Sequence, residues 1–203
     1  TIAIAFTPGI RPLYANLLTY PEDFTHSDWL GAPQRVADQA IAPDGSLTAD
    51  ELEDDSITNS ESIYQNIVLD PTKRYTASVY IKKDAVGRAD RFPMLRMSYR
   101  DGGDTESNQV KLDTFTGDVN NGNNSIDPVF WKEELDDYWR IGVSATPDDQ
   151  LNTQVRFQIW PAVGEGTPSW PVDQSTLGTI TAWGAQLTES DSLINIETFL
   201  NNL

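Results

Sequence analysis

The chain has 203 residues, 31 of them acidic and 14 basic, for a formal net charge of −17. Such an excess of carboxylates excludes direct binding to nucleic acid and docking on an anionic membrane surface, unless the few basic residues cluster. The absence of cysteine excludes disulfides, thiol catalysis and thiolate-bound metals, while six Trp, seven Tyr and seven Phe supply core material that disordered acidic chains lack.

Residues 1–15 stand apart. Ile2, Ile4 and Phe6 alternate with small residues before Pro8, Gly9 and Pro12 interrupt any regular element. Two readings are open: a first strand of the main domain, or an arm whose Ile2, Ile4, Phe6, Ile10 and Leu13 pack on a neighbouring subunit. No basic start and cleavage site mark a secretion signal, and no apolar run reaches the ~18 residues of a membrane span. Thr1 is the residue that removal of an initiator Met would leave, so a whole gene product is expected.

Residues 16–62 read as irregular and polar, with the acidic stretch Asp50, Glu51, Glu53, Asp54 and Asp55 as a solvated loop. Strands begin after residue 63. In Tyr75 to Lys82, Tyr75, Ala77, Val79 and Ile81 share one face. Phe92–Arg100 and the run ending at Phe115 flank the turn signal Asp101-Gly102-Gly103-Asp104 and predict a hairpin. Trp139, Ile141 and Val143 alternate in the next strand, and Val155, Phe157 and Ile159 in another, with Thr179–Leu187 as the last. Residues 191–200 predict a short helix capped by Asp191 or Ser192. Many short strands bounded by Gly, Pro, Asn and Asp predict an all-β, antiparallel sandwich of jelly-roll type over residues 16–203, preceded by the arm.

Catalytic signatures are sparse. His26 is the only histidine, and no Gly-x-Ser-x-Gly nucleophile, zinc-binding His-Glu-x-x-His, P-loop or dinucleotide fingerprint is present. Glu133, Glu134, Asp136 and Asp137 offer carboxylate pairs, as any chain this acidic does, and read as a solvated charge run. Asp118 to Asp127 carries calcium-like oxygen donors, but Asn123 and Val129 stand where a calcium-binding loop needs Gly and Glu, so a long hairpin loop is the expectation. No catalytic residue, cofactor or metal is therefore assigned. Trp160 and Trp170 flank a Gly/Pro-rich loop. With Tyr99 they are candidates for an aromatic platform against which the apolar face of a sugar would stack, or else for a subunit contact.

Six segments then carry a resemblance. They are Asn16-Leu17-Leu18-Thr19-Tyr20-Pro21-Glu22-Asp23-Phe24 followed by Trp29, Ala42-Pro43-Asp44-Gly45-Ser46-Leu47-Thr48-Ala49-Asp50-Glu51-Leu52, Ile63-Tyr64-Gln65, Tyr75-Thr76-Ala77-Ser78-Val79-Tyr80-Ile81-Lys82, Tyr138-Trp139-Arg140-Ile141 and Trp183-Gly184-Ala185-Gln186-Leu187. In this order, over residues 16–188, they resemble a recurring domain of tailed-bacteriophage virion proteins. Thr188 where that domain usually has Glu, and Tyr138-Trp139 in place of Trp-Tyr, are departures. The resemblance implies a jelly roll like that of carbohydrate-binding modules and a place on the outer surface of a capsid or tail. The expectation is a non-enzymatic capsid decoration or cement protein, a homotrimer contacting the major capsid protein or other virion proteins. The alternative is a glycan-binding module of a tail or head fibre that serves host attachment.

Overall fold

The structure, a computed structural model, describes residues 15–85, 92–123, 125–164 and 176–191. Among these residues the regular elements are strands: β1 (Leu30–Gly31), β2 (Gln34–Ile41), β3 (Leu47–Asp54), β4 (Ile63–Val68), β5 (Lys73–Lys82), β6 (Phe92–Asp101), β7 (Gly103–Leu112), β8 (Val119–Asn123), β9 (Ile126–Glu134), β10 (Tyr138–Thr146), β11 (Gln154–Val163) and β12 (Gly178–Asp191). They form two antiparallel six-stranded sheets. Sheet A has the order β1-β4-β11-β6-β7-β8 and sheet B the order β2-β3-β12-β5-β10-β9.

The predicted all-β sandwich is therefore present, and its connectivity is that of a jelly roll. Strands β3 and β12, β4 and β11, β5 and β10, and β6 and β7 pair in turn. Each is a successive stretch of one long two-stranded ribbon that wraps alternately into sheet B and sheet A. Strands β2 and β9 widen sheet B at its edges, and β1 and β8 widen sheet A.

Alternation decides what fills the space between the sheets. Tyr75, Ala77, Val79 and Ile81 of β5 and Trp139, Ile141, Val143 and Ala145 of β10 face Leu95, Met97 and Tyr99 of β6 and Val155, Phe157 and Ile159 of β11 in one buried cluster. Phe24 and Trp29, from the segment before β1, join it edge to face with each other, and Trp29 meets Phe157 in the same way. The hairpin predicted around Gly102 forms, with Met97 opposite Asn108 and Leu95 opposite Val110.

Three expectations need correction. Residues 16–62 are not irregular throughout, since β2 and β3 both lie there. The acidic stretch is strand β3, in which Asp50 and Asp54 are each only 1% exposed. Their carboxylates are buried because they stitch backbone. Asp50 accepts hydrogen bonds from the Phe24 N–H (2.7 Å) and, across a bulge in β2, from the Asp38 N–H (3.0 Å). Asp54 accepts from the N–H groups of Glu61 (2.8 Å) and Ser56 (3.2 Å). Burial pushes both carboxyls above the ordinary aspartate range. The third correction concerns Asp118 to Asp127. This segment is not one long loop, because Val119–Asn123 pairs with β7 in sheet A and Ile126 begins β9 in sheet B. The helix predicted over 191–200 lies outside the described residues except for Asp191, which ends β12.

Candidate functional site

Because the interior is packed, ligand chemistry has to sit on the outer faces of the sheets or at their ends. Of the predicted platform, Tyr99 and Trp160 are not brought together. Tyr99 points into the core with 0% exposure, and its hydroxyl donates to the Ala145 carbonyl at 2.7 Å. Trp160 does lie on the opposite face of sheet A from Phe157 and Ile159. It is only 4% exposed there, packed with Met94, Val163 and Phe92. The strand alternation that puts Tyr99 inside and Trp160 outside keeps the two from sharing a surface. Trp170 and the arm residues Ile2, Ile4, Phe6, Ile10 and Leu13 lie outside the described residues.

A surface of the predicted kind exists on the other sheet. On the outer face of sheet B, register aligns Glu133 of β9, Arg140 of β10, Tyr80 of β5 and Trp183 of β12 in one row. Trp131, Gly142, Ser78 and Gln186 form the next row. The Arg140 guanidinium lies 5.0 Å from the Tyr80 ring centroid and 5.2 Å from that of Trp131. It donates to Gln186 Oε1 (2.8 Å) and Ser78 Oγ (3.2 Å), with Glu133 at 3.8 Å. Tyr80 and Trp183 meet at 5.4 Å between centroids, and Trp183 Nε1 donates to Thr48 Oγ1. Tyr80, Trp131, Arg140 and Trp183 are all half-buried, so each keeps surface open to solvent.

Glycine explains why the rings lie low against the sheet. A Cβ at Gly142 would stand 2.2 Å from the Trp131 ring, so the indole occupies the space a side chain would fill. Gly184 has φ of 60°, the left-handed region, within the bulge between Trp183 and Gln186. The Tyr80 ring lies 3.1 Å from where its Cβ would be.

The same face runs into a polar cleft of about 250 Å³ lined by Glu51, Lys82, Asp84, Thr114, Thr179, Ile180 and Thr181. Glu51 is the cross-strand partner of Thr181, which precedes Trp183 by two residues on the same face of β12. Asp84 is fixed there by its carboxylate, which accepts from the Thr114 hydroxyl at 2.6 Å.

Other candidates find structural roles. His26 stacks on Tyr20 and accepts the Asp28 N–H at Nδ1. Glu134 pairs with Lys83 at 2.9 Å, and Glu133 belongs to the Arg140 row. Among the described residues no group of three or more His, Cys, Asp or Glu side chains is placed to hold a metal ion, and no helix is long and apolar enough to cross a membrane.

The aromatic row was missed in the sequence because its members sit on four separate strands. Tyr80, Arg140, Trp183 and Gln186 do, however, come from three of the segments that carry the virion-domain resemblance. The signal was their position opposite the core-facing residues of those same segments.

No protein-family model matches the chain, and no curated protein matches it. Among solved structures, the enzymatically active domain of tailspike protein 4 of bacteriophage CBA120 is similar, with TM-score 0.51 at 10% identity over 86% of this chain and 21% of that one. The CBM22-1–GH10 modules of Clostridium thermocellum endo-1,4-β-D-xylanase 10B, complexed with xylohexaose, give 0.46 at 9% identity over 90% of this chain and 29% of that one. TmCBM27, described as a mannan-recognising carbohydrate-binding module, gives 0.41 at 9% over 88% and 96%. The chain thus spans about a fifth of the tailspike domain and under a third of the xylanase modules. At such identity the tailspike likeness is one of fold, the β-sandwich described above.

Proposed function

We propose that the chain is a non-catalytic glycan-binding module whose site is the aromatic face of sheet B. The observation that carries this reading is the half-exposed patch of Trp131, Arg140, Tyr80 and Trp183 leading into the Glu51–Lys82–Asp84 cleft. Flat aromatic rings stack on the C–H face of a pyranose, while carboxylates, an ammonium group and threonine hydroxyls read its hydroxyls. Titrating the full chain against a panel of neutral oligosaccharides tests it. Binding should weaken about tenfold or more in W131A and in W183A, each of which should remain folded by circular dichroism. A panel without a binder, or variants that bind as the parent does, would remove the reading.

A second reading keeps the protein as a virion subunit that decorates or cements a capsid, a homotrimer in contact with the major capsid protein. It is supported by apolar side chains exposed on the strands at one side of the sandwich, namely Leu30, Val36, Ile41 and Leu47, each about half accessible. On this reading residues 1–13 form the subunit-binding arm. Light scattering of the full chain would give a trimer mass, and deletion of residues 1–13 would abolish particle association while leaving the domain folded. A monomer with unchanged particle association after deletion contradicts it.

A further inference from the structure

The outer face of sheet A has a different chemistry from that of sheet B. Its strand positions carry Arg96 and Arg100 of β6, Lys111 of β7 and Arg156 of β11, four of the chain's 14 basic residues. Asp104 is the carboxylate among them, shared between Arg96 (2.9 Å) and Arg100 (2.7 Å). On a protein of net charge −17 this is a local reversal of sign. Arg156 stacks on Tyr64 with its guanidinium carbon 4.0 Å from the ring centroid, and its Nε donates to Asn66 Oδ1 at 2.8 Å. No described carboxylate lies within ion-pair distance of it. Burial, and then the neighbouring Arg100 charge, lower its pKa, partly offset by Asp104.

A second observation points the same way. Register places Tyr64, Gln158, Arg96 and Gln109 in one row, beside the row holding Asn66, Arg156 and Ser98. Gln158 and Gln109 are each 5% exposed. Their Nε2 groups donate to Ser62 Oγ and Ser107 Oγ, while both Oε1 atoms are buried without a hydrogen-bond partner. Two incomplete amides on one strand row are costly unless something else completes them.

We infer that this face is a second saccharide site, selective for a uronic-acid-bearing glycan whose carboxylate is taken by Arg156 and whose hydroxyls complete Gln158 and Gln109. Arg156 and Gln158 lie about 7 Å apart along β11, and Gln158 and Gln109 about 10 Å apart across two strand spacings, which suits a short oligosaccharide better than a small anion. A guanidinium held flat by a tyrosine presents its remaining N–H groups as the fork that a carboxylate matches. The inference does not depend on the aromatic face of sheet B, and its test separates the two.

The probes are trigalacturonate, trimannuronate, the methyl ester of the bound one, and sodium acetate, each added to the isotope-labelled full chain. At least one uronate should shift the side-chain amide signals of Gln158 and Gln109 and the Nε–H of Arg156. The indole signals of Trp131 and Trp183 should stay in place. R156Q should weaken that binding about tenfold or more, R156K should restore part of it, and raising salt from about 50 to 300 mM should weaken it in the parent. The inference fails if neither uronate binds, if the shifts fall on the two indoles, or if the methyl ester binds as tightly as the acid. It fails equally if acetate alone gives the same shifts at the same concentration, which would leave an anion site without saccharide selectivity.

Discussion

Replacing Gly142 with Ala tests the geometry of the aromatic face at its tightest point. The added methyl would lie 2.2 Å from the Trp131 ring and 2.9 Å from the Ala77 carbonyl oxygen, a backbone atom of the neighbouring strand. The carbonyl is fixed by the β10–β5 pairing, so the indole has to lift. Overpacking of this kind costs about 1–3 kcal/mol, and the displaced ring also loses its contact with Arg140, about 0.5–1 kcal/mol at a partly exposed site. The assay is urea unfolding of G142A, W131A and the double variant. Once Trp131 is removed, the methyl meets only the carbonyl. There it also gains the roughly 0.5–1 kcal/mol by which Ala exceeds Gly inside a strand. The second substitution should therefore cost less than it does beside the ring, although the carbonyl contact remains, with a coupling energy of about 1–2 kcal/mol between the sites. Costs that add to within about 0.5 kcal/mol would mean that the ring does not rest on Gly142, and the account of the aromatic face would fall.

Two further outcomes follow from buried groups. Y99F removes the hydroxyl that donates to the Ala145 carbonyl and leaves that buried acceptor short; a loss of about 1–2 kcal/mol in urea unfolding is expected, and an unchanged midpoint would contradict the bond. D50N replaces an acceptor of two backbone N–H groups with an amide that accepts at one end only. It should cost about 1–3 kcal/mol, because one N–H is left facing an amide donor. The pH dependence of this variant carries a sign. Because the Asp50 carboxyl is raised above 3.8 in the folded chain, the fold holds a proton that the unfolded chain releases. Its contribution is fully present below about pH 4 and declines as pH rises through the raised value. The stability gap between parent and D50N should therefore narrow from pH 4 to pH 7; a gap that widens would mean the carboxyl is lowered instead.

Much of the fold was legible because alternation of period two is a direct image of a half-buried strand. Tyr75 to Ile81, Trp139 to Val143 and Val155 to Ile159 each put their apolar set inside as the pattern required. Strand β3 was illegible for the complementary reason. Asp50 and Asp54 occupy core-facing positions beside Leu52, and charge alone gives no sign that a carboxylate will bind backbone N–H groups, near in sequence for Asp54 and far for Asp50. Trp160 shows the limit of a local reading of exposure: its face was correctly assigned, but whether an outward side chain is covered depends on Phe92, Met94 and Val163, two of them on another strand. The aromatic face is the extreme case, since Trp131, Arg140, Tyr80 and Trp183 are brought together by register across four strands.

The wrapping of the ribbon also governs when the protein can fold during its synthesis. Strand β12 lies between β3 and β5, and β11 lies between β4 and β6, so β11 and β12 fill an inner position in each sheet. The opening segment waits as well: the Asn16 side chain bonds the Ala185 carbonyl and the Leu187 N–H, and the Leu17 N–H bonds the Leu187 carbonyl. Until β11 and β12 leave the ribosome, β3, β4, β5 and β6 present unpaired edges with no neighbour to accept them. The nascent chain is thus at its most aggregation-prone just before β11 and β12 emerge, and a dependence on holding chaperones over that stretch of translation is built into the strand order itself.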